Sequence, residues 1–159
     1  MSPLFLEDLT PGQRFASQST YAVTENEIRE FARHFDPQPF HSDPISARDS
    51  FFGELIASGW HTAAMTMRLL ATDALPLAEG IIGLGGEINW PNPTRPGDVL
   101  RVVCQVVEVT PSRSRPDRGV AKVLCSTLNQ RGETVQRLVA NLVVFGRAHQ
   151  SADRPDGAF

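Results

Sequence analysis

The run at 59–72, GWHTAAMTMRLLAT, carries a single charge, Arg68, and constrains the fold of this chain more than any other stretch. A helix that is apolar nearly all round has no face to offer water, so other elements must cover it. The second half of the sequence supplies that cover. Residues 99–109, 119–128 and 134–145 are three long strand candidates, the last two joined by the turn Asn129-Gln130-Arg131-Gly132. Residues 80–90 add a glycine-bearing β segment, broken by Trp90-Pro91-Asn92-Pro93. Within 99–109, Leu100, Val102, Cys104 and Val106 share one face, and Arg101, Val103, Gln105 and Val107 share the other, less apolar one. With a strand at 14–23, about five strands and one buried helix predict an α+β domain in which an antiparallel sheet wraps round that helix.

Helix signals lie ahead of the apolar run. Thr24-Glu25-Asn26-Glu27 is a capping box, and Ile28, Phe31, Ala32 and Phe35 then fall at i, i+3, i+4 and i+7. That helix ends near Phe35, because Pro37 disfavours a helical Asp36. Asp43-Pro44 starts a second short helix, an N-cap followed by proline in the first turn. No repeat or internal linker divides the chain. Residues 1–146 read as one domain and 147–159 as a polar, flexible tail.

The chemistry concentrates in FDPQPFHSDPISARDSFFGELIASG, from Phe35 to Gly59. Asp36 and His41 flank Pro37 and Pro39, which stiffen the segment, read here as a loop. Both side chains can contact one water, and each can carry a proton once its pKa is tuned. Gly59 opens the apolar helix, where a free amide and the positive end of the dipole favour an anion. Such an oxyanion donor is worth about 3 to 4 kcal/mol of barrier. From spacing alone, a turn or cap role for Asp36 and a plain helix-start role for Gly59 stay open.

Other features narrow the classes. Net charge is −3 with pI near 5.8, so no global basic field draws nucleic acid. No apolar run reaches the roughly 18 residues of a membrane span, and MSPLFLEDLTPGQ lacks the basic start of a signal peptide. The cytoplasm is the expected location. Cys104 and Cys125 lack CxxC or Cys/His clustering and read as two buried thiols in a reducing compartment. His34, His61 and His149 lack ligand spacing, so no metal site is expected. His61 reads as a satisfied core or interface histidine, His34 as solvated, and Trp60 as a pocket or interface wall. Arg113, Arg115 and Arg118 cluster in a turn. They form either a solvated hairpin loop or a phosphate-binding one, since guanidinium forks suit phosphate oxygens.

Asp36-Pro37-Gln38-Pro39-Phe40-His41 resembles the D-x-N-P-x-H motif of the MaoC-like, (R)-specific enoyl-CoA hydratases. Phe52-Gly53, Ile56-Ala57 and Gly59 resemble that family's continuation, and Trp90-Pro91 through Pro96-Gly97-Asp98 is similar to its turn before the long strands. Two positions depart from the pattern: Gln38 stands where Asn is usual, and Ser58 where His is usual. Gln38 still presents a side-chain amide, and Ser58 is small and keeps the Gly59 amide accessible. The resemblance implies a hotdog fold and a water held by Asp36 and His41 that adds to a trans-2-enoyl-CoA, yielding the (R)-3-hydroxyacyl-CoA. It also implies no cofactor beyond the CoA thioester substrate, and a homodimer or dimer of dimers. A hotdog thioesterase and a non-catalytic acyl-binding or assembly subunit are the alternatives.

Overall fold

The computed structural model of the chain describes residues 2–151. Its body is an antiparallel meander of β4 (Val99–Pro111), β5 (Arg118–Leu128) and β6 (Thr134–Phe145), with β3 (Ile82–Asn89) along the far side of β6. Alternation drives this. β5 switches between buried and half-buried at every residue, so Ala121, Val123, Cys125 and Thr127 all point inward. Leu100, Val102, Cys104 and Val106 of β4 are the buried set, as their shared face predicts.

The strand expected at 14–23 is two short pieces, β1 (Arg14–Ala16) and β2 (Tyr21–Ala22), both paired to β4. Between them the backbone amides of Gln18 and Ser19 donate to the Asp73 carboxylate, at 3.2 and 2.8 Å, and not to a neighbouring strand. The sheet order is β1-β4-β5-β6-β3, with β2 also on β4.

Helix α1 (Glu25–Phe35) starts at the predicted capping box and buries Ile28 and Ala32. Phe35, expected on the same face, is exposed at the helix end, its ring against Phe31. Two single turns follow, α2 (Pro39–Ser42) and α3 (Pro44–Ala47), each with proline at its start. Helix α4 (Gly59–Leu69) lies in the curve of the sheet and passes into a π turn at Leu70–Ala74, closed by Leu75 N–H donating to the Leu70 carbonyl. The wider turn keeps Leu70, Ala74 and Leu75 all buried.

The cover over α4 within one chain is one-sided. Thr62, Met65, Thr66 and Leu69, at i, i+3, i+4 and i+7, face the sheet. Trp60 and Met67 on the other side are 62% and 44% exposed, and β3 beside them is exposed along most of its length. One copy of this sheet reaches only one face of the helix.

Cys104 and Cys125 sit directly opposite each other across β4 and β5, buried and free. The hydrogen bond to Cys125, then burial, push the Cys104 thiol far up, so it stays neutral and acts as core. The expected tail is held at its start: Gly146 N–H donates to the Asp117 carbonyl, and the Arg147 guanidinium bonds both oxygens of Asp8 at 2.7 and 2.8 Å. Helix α5 (Ala148–Ser151) follows, and residues 152–159 lie outside the described residues.

Thr66 and Thr127, both fully buried, share a 2.6 Å hydrogen bond that pins α4 to β5. Thr66→Val strands the other hydroxyl and is expected to cost about 1 to 3 kcal/mol in denaturant unfolding. Adding Thr127→Val should recover much of that loss, because neither hydroxyl is then left unpaired. Two strictly additive costs would disprove the coupling.

Candidate active site

Three short pieces of chain meet at the N-terminus of α4. Asp36 is the C-cap of α1, its N–H donating to the Ala32 carbonyl. Pro37 prevents the helix from continuing. Pro39 then fixes the first position of α2, and its preset φ starts a new helical turn. His41 therefore stands on a helical turn and is only 5% exposed, where the sequence reading had placed it on a loop.

The geometry of the pair is specific. His41 Nε2 lies 3.4 Å from Asp36 Oδ2. The other ring nitrogen, Nδ1, is 2.7 Å from the Ile56 carbonyl. A carbonyl only accepts, so Nδ1 carries a hydrogen, and Nε2 is the ring nitrogen that faces Asp36. The imidazole is thereby held in one orientation. Phe40 stacks edge-on against it at 4.6 Å, and Ile56 N–H donates to the Phe40 carbonyl.

Asp36 is held as firmly. Ser58 Oγ donates to Oδ2 at 2.6 Å and Gln38 Nε2 to Oδ1 at 2.8 Å. Burial pushes this carboxyl up, but the bonds from Ser58 and Gln38, with the charge His41 carries when protonated, outweigh it, so the pKa lies below the ordinary aspartate value. Because the folded pKa is the lower one, these bonds stabilise the fold at neutral pH. That contribution fades as pH falls through the folded pKa.

Gly59 follows Ser58 as the first residue of α4, where backbone amides have no partner within the helix. Its lack of a side chain has a second cause. A Cβ here would sit 2.7 Å from the Trp90 ring. That indole is anchored by Nε1–H donating to Gln136 Oε1 at 2.9 Å and meets Trp60 edge-on. Phe40, His41, Phe51, Phe52, Gly59 and Trp90 line a cavity of about 480 Å³.

The structure thus joins Asp36, His41 and Gly59 and leaves Arg113 and Arg115 elsewhere. Both arginines are exposed in the hairpin between β4 and β5, which abuts the Phe145 end of β6. The site sits by Gln136 at the other end, roughly 30 Å away along the strands. Arg118 is bound to Asp117 by a two-pronged ion pair that holds that carboxyl down to about 2. His149, read as a tail residue, also contacts Asp117, at 3.1 Å.

His61 is buried with its ring stacked on Phe31 at 4.6 Å, but its Nδ1 has no hydrogen-bond partner, so it is not the satisfied histidine expected from sequence. Burial lowers its pKa, against an upward pull from Glu27. Among the described residues no group of three His, Cys, Asp or Glu side chains gathers to hold a metal ion, and no helix is long and apolar enough to cross a membrane.

Sequence reasoning missed the Ser58 bond to Asp36, the Ile56 carbonyl and the Trp90–Gln136 anchor. A serine just before Gly59 is an N-cap signal, yet nothing in sequence spacing places its hydroxyl on Asp36. Gly59→Ala is expected to displace the Trp90 indole, costing about 1 to 3 kcal/mol by overpacking and changing the tryptophan fluorescence. A stable alanine variant with unchanged emission would contradict this packing.

The chain is similar to known proteins in sequence and fold. The MaoC like domain matches residues 7–127. The crystal structure of the MaoC-like dehydratase from Rhodospirillum rubrum is 60% identical, with a TM-score of 0.88 over 91% of this chain and 98% of that one. R-hydratase PhaJ1 from Pseudomonas aeruginosa is 27% identical, with a TM-score of 0.74 over 91% of this chain and 88% of that one. A 3-hydroxybutyryl-CoA dehydratase from Methylorubrum extorquens is 30% identical over 70% of this chain and 69% of its own length. The sheet wrapped on a central helix is the hotdog fold, and the chain belongs to the MaoC-like dehydratase family.

Proposed function

We propose that this protein is a hydratase/dehydratase interconverting a trans-2-enoyl-CoA and an (R)-3-hydroxyacyl-CoA. The observation that carries the reading is the pair Asp36 Oδ2 and His41 Nε2, two proton acceptors 3.4 Å apart beside the free amide of Gly59. A water donating to both directs its oxygen lone pair away from them, towards the β-carbon of a bound enoyl thioester. As that oxygen bonds to C3, one water O–H bond breaks and its proton passes to the dyad. The C2–C3 π electrons move onto the thioester carbonyl, whose oxygen is met by Gly59 N–H. The dyad returns a proton to C2 and the carbonyl reforms, so the net change is addition of one water. Dehydration is the reverse.

Apolar lining suits an acyl group. Beyond the Trp60–Trp90 pair lies a second cavity of about 410 Å³, lined by Met67, Gly83, Leu138 and Ala140 among others. The (R) configuration and the CoA carrier rest on what the relatives are called, an R-hydratase and a 3-hydroxybutyryl-CoA dehydratase. The enzyme works in the cytoplasm in this reading, where its two thiols stay reduced.

A second copy completes the assembly. The exposed face of α4 and the unpaired edge of β3 call for cover, and antiparallel pairing of two β3 edges about a twofold axis provides it. Such pairing reverses the partner sheet, bringing its β4–β5 hairpin to this end. Arg113 and Arg115 then meet CoA phosphates across the dimer. Charge reversal of both is expected to raise KM for CoA thioesters while sparing pantetheine analogues. Equal effects on both would remove that role, and a 17 kDa monomer at micromolar concentration would remove the dimer.

Asp36→Asn and His41→Asn are each expected to slow hydration on the order of 10²- to 10⁴-fold. Asparagine at 41 keeps a donor for the Ile56 carbonyl, so the buried bond survives without Nε2. If the pair acts as a unit, the double variant is scarcely slower than the worse single one. Ultraviolet absorbance of the conjugated thioester follows the reaction. Its loss without free thiol supports hydration, release of thiol supports a thioesterase, and neither supports a binding subunit.

A further inference from the structure

We propose that Ser58 is a positioning residue of this site, its hydroxyl locking the Asp36 carboxylate to the N-terminus of α4. The inference concerns the same site as the reading above, and only its kinetic arm rests on that reading. Ser58 stands where the motif it resembles most often carries His, and the proposed reaction itself gives it no task.

One hydroxyl makes two directed bonds. Ser58 Oγ accepts from Trp60 N–H at 3.3 Å and donates its single proton to Asp36 Oδ2 at 2.6 Å. The backbone on either side is fixed. Ala57 N–H donates to the Thr94 carbonyl, and the Ser58 carbonyl receives the Thr62 amide of the first turn of α4. At 1% exposure, Ser58 offers water no competing access.

Asp36 has no comparable anchor of its own. It caps the end of α1, and its side chain remains 18% exposed. Its other donor, Gln38, is exposed and free to hydrate. The titratable group facing it is His41 on α2; Gln38 ahead of α2 and Ser58 ahead of α4 are neutral. The buried Ser58 bond therefore decides where Oδ2 points, which is at His41 Nε2. Because the next residue is Gly59, the proton acceptor and the oxyanion donor are set relative to each other by adjacent residues. Without the hydroxyl, Oδ2 swings away and the half-buried carboxylate loses a donor that favours its charged form.

The test uses full-length protein with ¹³C-labelled aspartate, the Asp36 carboxyl signal being assigned by its loss in Asp36→Asn. Its titration is followed in wild type, Ser58→Ala, Ser58→Gly and Ser58→Thr. Glycine is nearly as good an N-cap as serine, so Ser58→Gly keeps the start of α4 while removing the donor. In the alanine and glycine variants the Asp36 midpoint is expected to move up, towards and beyond the ordinary aspartate range. Hydration kcat should fall on the order of tenfold or more with KM little changed, a pattern of misplacement and not of lost binding. Threonine, which keeps the hydroxyl, should restore both. A wild-type Asp36 titration in both Ser58→Ala and Ser58→Gly overturns the proposal, whatever their rates. A raised midpoint in a protein that hydrates no enoyl thioester upholds the positioning role and overturns only the assigned reaction.

Discussion

The start of α4 is the fixed point on which the site depends. The helix is held against the sheet by Thr62, Met65, Thr66 and Leu69, and the buried Thr66–Thr127 bond sets its depth on β5. Thr62 Oγ1 also donates to Thr94 Oγ1 at 2.9 Å, tying the first turn to the segment that precedes β4. With the helix immobile, the residues at its N-terminus occupy defined points in space. Ser58 and Gly59 inherit that rigidity, and Trp90 packs on it.

The Asp36–His41 pair is built by giving each polar atom one task. His41 Nδ1 is spent on Ile56, leaving Nε2 for chemistry, and Asp36 is kept ionised by Ser58 and Gln38. In a site of low exposure, such a network is strong when complete and costly when any member is missing. The two departures from the family motif, Gln38 and Ser58, are both donors to the same carboxylate. The sequence shows them as substitutions, and the structure shows them acting together.

Among the described residues, the chain covers one side of its central helix and leaves the other open beside β3, whose outer edge has no strand partner. Trp60, Met67, Ile82 and Leu84 form this exposed stretch. The same asymmetry separates the basic hairpin from the site within a chain: the strands carry Arg113 and Arg115 to the end opposite Trp90. The proposed twofold repeat would resolve both features at once, since it would cover the apolar face and reverse the direction of the sheet.

Much of this was legible in residues alone. Alternating valines in β4 to β6, the capping box of α1 and the uncharged run of α4 express local periodicity, and periodicity survives without knowledge of what packs where. The motif from Asp36 to Gly59 pointed to residues that the fold brings together for the same reason, because they lie close in sequence. Other features depended on contacts between distant residues. The break between β1 and β2 follows from Asp73 capturing two amides, more than fifty positions away, in a bond no window of sequence contains. His41 is buried, and not on an open loop, because Pro39 starts a helical turn that Ile56 and Phe40 then enclose. The bare position at 59 answers to Trp90, and the carboxylate at 36 answers to Ser58. Sequence determined which elements form and which residues can carry protons; the tertiary structure decided where those protons point, because direction is set by partners that only folding brings within reach.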